Sequence, residues 1–357
     1  MVCPGFNFEI SPNSTWNTHS SSINIFGCKM YRIEVEAGGT YTFQTGCGNG
    51  ATSNFDTYLS LLDNNCSVIT YNNNGCASNR SKITWTSDYD GYAYLKVRGY
   101  SSSYGTYTLA HFRSYELEWT GTVSHDWHNP ANWNLNQVPT AVDNVEIPDG
   151  TPYECRVLNG NAECNNLTIE SGADLDIVGR NLYLNGELVV YGHLDLSNTS
   201  SRVYLDGDVT WKSGSTANME LSATIDCESS WYFDPGANVQ LDGGFVNFSG
   251  PGSSYIVCKD EDCSFYRIRN YKTELLGLAV STISTTDMYV DGNIYNYAGS
   301  TFNYFSGYDL YIDGFFNNMD GTYQFHDGTV IFTGNPTTAL KPTPGSYFNN
   351  IINNTTA

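Results

Sequence analysis

A short phrase returns four times in the second half of the chain: Leu182-Tyr-Leu-Asn-Gly186, Val203-Tyr-Leu-Asp-Gly207, Met288-Tyr-Val-Asp-Gly292 and Leu310-Tyr-Ile-Asp-Gly314. The step from Leu182 to Val203 nearly equals that from Met288 to Leu310, and the gap between Val203 and Met288 is close to four such steps. A strand followed by Asn-Gly or Asp-Gly at a fixed period of about 21 residues is how a chain winds into a solenoid. Within the period, Leu167–Ile169, Leu175–Ile177, Leu182–Leu184, Leu188–Val190 and Leu194–Leu196 alternate aliphatic with polar residues at a short, regular spacing. Three strands per turn predict a right-handed parallel β-helix over residues 151–357, continuing beyond residue 357. The Asn-Gly and Asp-Gly pairs predict corners with positive φ at the glycine. Residues 215–275 fit the period poorly and read as an irregular insertion held by disulfides.

Residues 1–115 carry a different pattern. Seven short runs of β-branched and aromatic residues lie between Tyr31 and Ala110, separated by Gly, Asn and Ser clusters. That spacing predicts an antiparallel, jelly-roll-like β-sandwich. Between the two lies a tryptophan-rich hinge, residues 116–150, with Trp119, Trp127 and Trp133 placed to cover the open end of a solenoid. The fold class is therefore all-β, in two architectures.

Charge narrows the partners. Lys and Arg number 16 against 37 Asp and Glu, a formal net charge of -21. A phosphate backbone needs a basic face, so nucleic acid is excluded as a partner, and an anionic membrane surface with it. No run of about 18 apolar residues is present to span a bilayer. Ten cysteines, with no Cys-x-x-Cys pair, predict disulfides and an extracellular or cell-surface location. The close pairs are Cys66 with Cys76, Cys155 with Cys164, and Cys258 with Cys263; Cys3 with Cys28 is a further pairing.

The first third resembles the bacterial pre-peptidase C-terminal (PPC-type) β-sandwich. The likeness is carried by Tyr41-Thr-Phe-Gln-Thr-Gly-Cys47, Phe55-Asp-Thr-Tyr-Leu-Ser-Leu-Leu-Asp63, Ser81-Lys-Ile-Thr-Trp85 and Gly99-Tyr-Ser-Ser-Ser-Tyr-Gly-Thr-Tyr-Thr-Leu109. The resemblance implies a non-catalytic module that accompanies secreted enzymes and adhesins. The stretch from Trp119 through Trp133 and on to the end of the chain resembles the β-helical segments of large secreted adhesins of Bacteroidota, many exported by the type IX route.

Candidate chemistry is sparse. Asp56, Asp88 and Asp90 supply oxygen ligands suited to calcium, the one cofactor the sequence offers. Lys259, Arg267, Arg269 and Lys272 beside Glu261 and Asp262 form the best grouping for a polysaccharide lyase, but no histidine flanks them. Asp206, Asp291 and Asp313 share one repeat position and read as turn residues. In His125-Asp126-Trp127-His128, turn capping by Asp126 is the better reading than a metal site. Tyr100, Tyr104, Tyr304 and Tyr308 sit among Ser, Gly and Asn, the adaptable contact residues of binding surfaces. The expectation is a non-enzymatic adhesin fragment meeting glycans or surface proteins of another cell or matrix, and a homo-oligomer. The alternatives are a polysaccharide lyase or hydrolase on the β-helix, and a calcium-dependent glycan-binding module.

Overall fold

The computed structural model describes residues 5–77, 79–273, 277–334 and 342–354. It is all-β apart from one short 3₁₀ turn, Pro130–Asn132. The chain divides into two compact units, Met1–Glu116 and Leu117–Ala357. The tryptophan-rich stretch falls, from Leu117 on, in the second unit.

The first unit is the expected sandwich, antiparallel except that Phe8–Ile10 runs parallel to Cys28–Val35. Its strands are β1 (Phe8–Ile10), β2 (Asn17–Ile23), β3 (Cys28–Val35), β4 (Gly39–Gln44), β5 (Thr52–Ser53), β6 (Thr57–Leu62), β7 (Val68–Asn72), β8 (Lys82–Thr86), β9 (Gly91–Gly99) and β10 (Gly105–Glu118). One sheet has the order β1-β3-β9-β6-β7, and in the other β10 lies between β2 and β4, with β8 beyond β4. Alternate residues of both sheets, among them Tyr31, Ile33, Phe43, Leu59, Leu61, Leu95, Val97 and Leu109, are fully buried between them. Cys47 is bonded to Cys76 across a sequence separation of 29. This corrects the expected Cys66–Cys76 bridge: Cys66 is disulfide-bonded, but not to Cys76. Cys28 is a free, exposed thiol, and Cys3 lies outside the described residues.

The second unit winds as a three-faced parallel β-solenoid. Its first face stacks nine strands, from Asn144–Ile147 to Thr322–Phe325, and its third stacks eight, from Ala162–Cys164 to Phe316–Met319. The remaining face is built in two runs of four and five strands. Every ladder is parallel, so equivalent residues of successive turns lie one strand spacing apart, about 4.8 Å. On the third face one inward column runs Ala162, Leu182, Val203, Ile225, Val246, Ile268, Ile294 and Phe316, all buried. Each such side chain contributes about 1.5–3 kcal/mol by leaving water.

Residues 215–275 wind with the solenoid, yet they are its irregular stretch. They carry seven strands, and those of the first and third faces stay in register with the turns on either side. The turn between Trp231–Phe233 and Phe245–Phe248 lacks a strand on the remaining face, where among the described residues only Gln240 bridges to Ser264. On the first face Val145, Leu167, Leu188, Val209 and Trp231 succeed one another at an even step. The next steps, from Trp231 to Ile256, then Val280, then Tyr304, are each longer. Where the turns lengthen, the interior fills with Trp231, Phe233, Phe248 and Phe265, whose rings meet at 5.2–6.5 Å. A wider core needs a longer circumference.

The four other cysteines of the expected pairs are free and buried. Cys155 opens an inward column with Leu175, Leu194 and Ala217, whereas Cys164 belongs to the column of Leu184, Leu205 and Cys227. Cys258 follows Phe233 on the first face, and the Cys263 thiol donates to the Ala237 carbonyl at 3.4 Å. These thiols act as small apolar rungs of the stack. Burial pushes all of them up, Cys227 and Cys263 to about 12.

The corners also differ from expectation. The glycines of the repeated phrase, Gly186, Gly207, Gly292 and Gly314, are not among the residues with positive φ. They are required by close approach instead. A Cβ on Gly207 would lie 2.4 Å from backbone atoms of Gly186, and one on Gly314 would lie 2.2 Å from the Gly292 carbonyl oxygen. Corner Asn and Asp side chains then accept from backbone N–H groups one turn on: Asn166 from Glu187, Asp208 from Ser230, Asn293 from Phe315 and Asp309 from Thr329.

In the last three turns of the third face the Cys164 column changes from apolar to amide. Asn270 donates to Asn296 Oδ1 and Asn296 donates to Asn318 Oδ1, both at 2.8 Å. Their second N–H bonds go to the Thr301 and Thr322 carbonyls, and Ser300 donates to Asn296 Oδ1. The ladder is buried and satisfied, so removing its middle rung strands a donor above and an acceptor below. We expect Asn296→Ala to lower stability by about 2–4 kcal/mol in urea denaturation, more than Asn303→Ala on the neighbouring face.

Burial generates two further expectations. Among the described thiols, only Cys28 should react with a disulfide reagent in the native protein, the five solenoid thiols titrating only in denaturant. His111, buried in the sandwich, has its pKa lowered to about 4 by desolvation and then by His19. The unfolded chain, near 6.5, binds the proton first, so acidification from about pH 6.5 to 4 destabilises the sandwich. Thermal melting of the His111→Gln variant should be flatter across that window than that of the parent.

Candidate functional site

Strand alternation turns the core-facing residues of β3, β6 and β9 inward and leaves Met30, Arg32, Glu34, Tyr58, Ser60, Leu62, Tyr92, Tyr94, Lys96 and Arg98 on the outer face of the sheet. Register places Arg98 directly opposite Tyr58 and Lys96 opposite Ser60. Tyr71, on the neighbouring β7, pairs with Ser60.

The result is an aromatic row. Tyr58 stacks on Tyr71 with ring centroids 5.7 Å apart and planes within 9°, and on Tyr100 at 6.4 Å and 16°. The Arg98 guanidinium lies 3.9 Å from the Tyr58 ring centre and donates through Nη1 to the Gly99 carbonyl at 2.9 Å. Tyr71 is 63% exposed and Tyr100 47%. Beside the row, Met30, Leu62, Cys66 and Val68, with Ser60 and Lys96, line a shallow depression of about 340 Å³. Leu62 and Tyr94, with Met30, Cys66 and Tyr92 packed against them, form a small apolar cluster under this face.

A second surface is a hydroxyl-lined groove of about 660 Å³ between β2, β5 and β10, formed by Ser20, Ser22, Thr52, Asn54, Thr106 and Thr108. It carries no charge, and Ser20 and Thr108 satisfy one another at 2.9 Å.

The tyrosines named from the sequence fall in different places. Tyr100 belongs to the row. Tyr104 is exposed but in ring contact with none of its members. Tyr308, on the solenoid, is 43% exposed. Tyr304 corrects the expectation: it is an inward rung, its hydroxyl donating to the Asp309 carbonyl at 3.0 Å. The residues that sequence reasoning misses are Tyr58, Tyr71, Lys96 and Arg98. Tyr58 and Arg98 carry the signal of outward positions on alternating strands, but only pairing brings them opposite one another.

The calcium candidates do not converge. Asp56 precedes β6, where its carbonyl accepts from Tyr100 N, while Asp88 and Asp90 precede β9 at the other end of that nine-residue strand. Asp90 Oδ1 accepts from Ala37 N, ordering a turn. Among the described residues, no group of three His, Cys, Asp or Glu could hold a metal ion.

The cationic grouping on the solenoid is likewise dispersed. Lys259 and Lys212 both pair with Asp234, Arg267 and Arg269 cover the Phe245 ring, and Lys272 is buried, donating to the Glu228 carbonyl. Asp126 caps its turn by accepting from His128 N, and Asn159 donates to its other oxygen. His125 and His128 instead contact the Glu154 and Asn161 carbonyls. Outward tyrosines of successive turns stack in pairs, Tyr183 on Tyr204, Tyr271 on Tyr297 and Tyr289 on Tyr311, at 4.4–5.0 Å.

Trp119, Trp127 and Trp133 are buried edge to face against one another at 4.9–5.2 Å. The buried Asn132 amide accepts from Val123 N and Ser124 N and donates to the Asp126 carbonyl. Backbone bonds tie this cluster to the first turn: Trp119 N donates to Glu146 and Trp127 N to Arg156.

A family model described as a domain of unknown function, DUF8693, matches residues 118–226, less than a third of the chain. Among solved structures, the pre-peptidase C-terminal domain of a collagenase from Bacillus anthracis is similar at 17% identity, covering 30% of this chain and 97% of that one, with a TM-score of 0.24. No curated protein matches.

Proposed function

We propose that the chain is a non-catalytic part of an extracellular adhesin or surface appendage, with the solenoid as a stiff spacer and the sandwich as the contact module. The observation that carries this reading is the long stack of the second unit, whose nine first-face and eight third-face strands each form one continuous parallel ladder over a filled interior. Continuous parallel ladders resist bending because every turn is hydrogen-bonded to the next. The Cys47–Cys76 bridge supports an oxidising, extracellular setting. The Tyr71–Tyr58–Tyr100 row supports contact through the sandwich, since tyrosine supplies rigid area with a polar tip at low entropy cost. The partners in this reading are glycans or surface proteins of another cell or matrix, and the stacked outward tyrosines of the solenoid favour a homo-oligomer.

The purified chain should be run in affinity gels cast with a panel of neutral and acidic polysaccharides, with the same polymers assayed for new reducing ends and unsaturated products. We expect retention by at least one polymer with no product, and a Tyr58→Ala/Tyr71→Ala variant weakened by about tenfold or more. Product formation would establish the lyase or hydrolase reading instead. No retention on any polymer would remove the sandwich as a glycan contact.

A further inference from the structure

The formal charge is unevenly divided. Residues 1–116 hold seven Lys and Arg against eight Asp and Glu, a balance of -1, and the rest of the chain holds nine against 29, a balance of -20. On the outward positions of β3, β6 and β9 the bias is reversed, with Arg32, Lys96 and Arg98 against Glu34. Arg32 is taken by Glu9 through a fork of bonds at 2.8–3.2 Å. Lys96 and Arg98 form no ion pair among the described residues, although the chain offers more than two carboxylates for every cation.

We infer that this face of the sandwich binds an acidic polysaccharide, its sugar rings lying along Tyr71, Tyr58 and Tyr100 and its carboxylate or sulfate groups meeting Arg98 and Lys96. The inference rests on the contact-module reading above and narrows its ligand class. Three features of the site fit that chemistry together. The exposed rings of Tyr71 and Tyr100, at the two ends of the row, offer flat apolar area to the C–H faces of pyranose rings, with hydroxyls at the edge for the sugar's own hydroxyls. Arg98, held over Tyr58 with one nitrogen fixed on Gly99, keeps the rest of its fork for a planar oxyanion. Lys96, two residues along the same strand, stands about 7 Å away, beside a depression floored by Met30 and Leu62 that can take a substituent.

The charge division also sets the contact: with a balance of -20 the second unit repels a polyanion, whereas the sandwich, at -1, does not. A nucleic acid, with a phosphate at every residue, needs more than two unpaired cations. A glycan whose rings carry most of the contact does not.

Isothermal titration of the full chain with a galacturonate hexasaccharide, a heparin-derived hexasaccharide and the methyl-esterified galacturonate hexasaccharide tests this. We expect binding of at least one acidic oligomer, weakened by about tenfold or more between roughly 20 and 200 mM salt and to a similar degree in Lys96→Gln/Arg98→Gln. A Lys212→Gln/Lys259→Gln variant on the solenoid should bind as the parent does. Circular dichroism of each variant confirms that the sandwich is intact. If the neutral ester binds as well as the acid and the Lys96/Arg98 variant is unchanged, the acidic class is overturned while the contact module stands. If a single-stranded oligonucleotide competes as strongly as the acidic oligomer, the polysaccharide assignment falls. Binding by none of the hexasaccharides overturns the acidic class, and the affinity gels then decide the contact module separately.

Discussion

The parallel backbone ladder between successive turns is the constraint that shapes the rest of the second unit. It sets a repeat of about 4.8 Å along the stack, so whatever occupies one position of a turn must tolerate its equivalent one spacing away. Apolar side chains meet this condition by nesting, which is why the inward columns are aliphatic. A polar residue meets it only if it bonds to its own copies. Asn does, because its amide presents a donor to one side and an acceptor to the other, and Asn270, Asn296 and Asn318 form such a chain. At the corners the condition is stricter still: backbone touches backbone, and Gly186 and Gly207, or Gly292 and Gly314, leave no room for a Cβ.

Much of this is legible in the sequence because a solenoid writes its geometry as a period. The repeated phrase marks the period within each half, though Leu182 and Val203 open third-face strands while Met288 and Leu310 open strands of the remaining face. The short, regular spacing of Leu167, Leu175 and Leu182 marks the three faces. The departures have physical causes. Residues 215–275 look irregular because the longer turns through Trp231, Ile256 and Val280 accommodate Trp231, Phe233 and Phe265, and a fixed period sees such a change as noise. Closely spaced cysteines suggest bridges, but in a three-sided coil residues this near in sequence lie on different faces, as Cys155 and Cys164 do. The Asn and Ser neighbours of Tyr304 suggest a surface residue, whereas strand parity turns it inward.

The candidate site is less legible than the fold for a related reason. In the solenoid, neighbours in space are one period apart in sequence, so a contact can be read off by counting. In an antiparallel sandwich, neighbours depend on strand order, and Tyr58, Tyr71 and Arg98 come from three strands whose pairing no local pattern reveals. Tyr100 alone is accessible, through its Ser and Gly surroundings.

The two units answer the same demand, a surface turned to the exterior, in opposite ways. A stack of turns sets the outward side chains of successive turns beside each other, so like residues meet in short runs, Tyr183 with Tyr204, Tyr289 with Tyr311 and Asp176 with Asp195. The sandwich, whose outward positions are not bound to repeat, can bring cations, rings and an apolar floor onto one patch. On the solenoid the cations are taken up by neighbours, Lys212 and Lys259 by Asp234 and Arg269 by the Phe245 ring, whereas Lys96 on the sandwich forms no ion pair among the described residues.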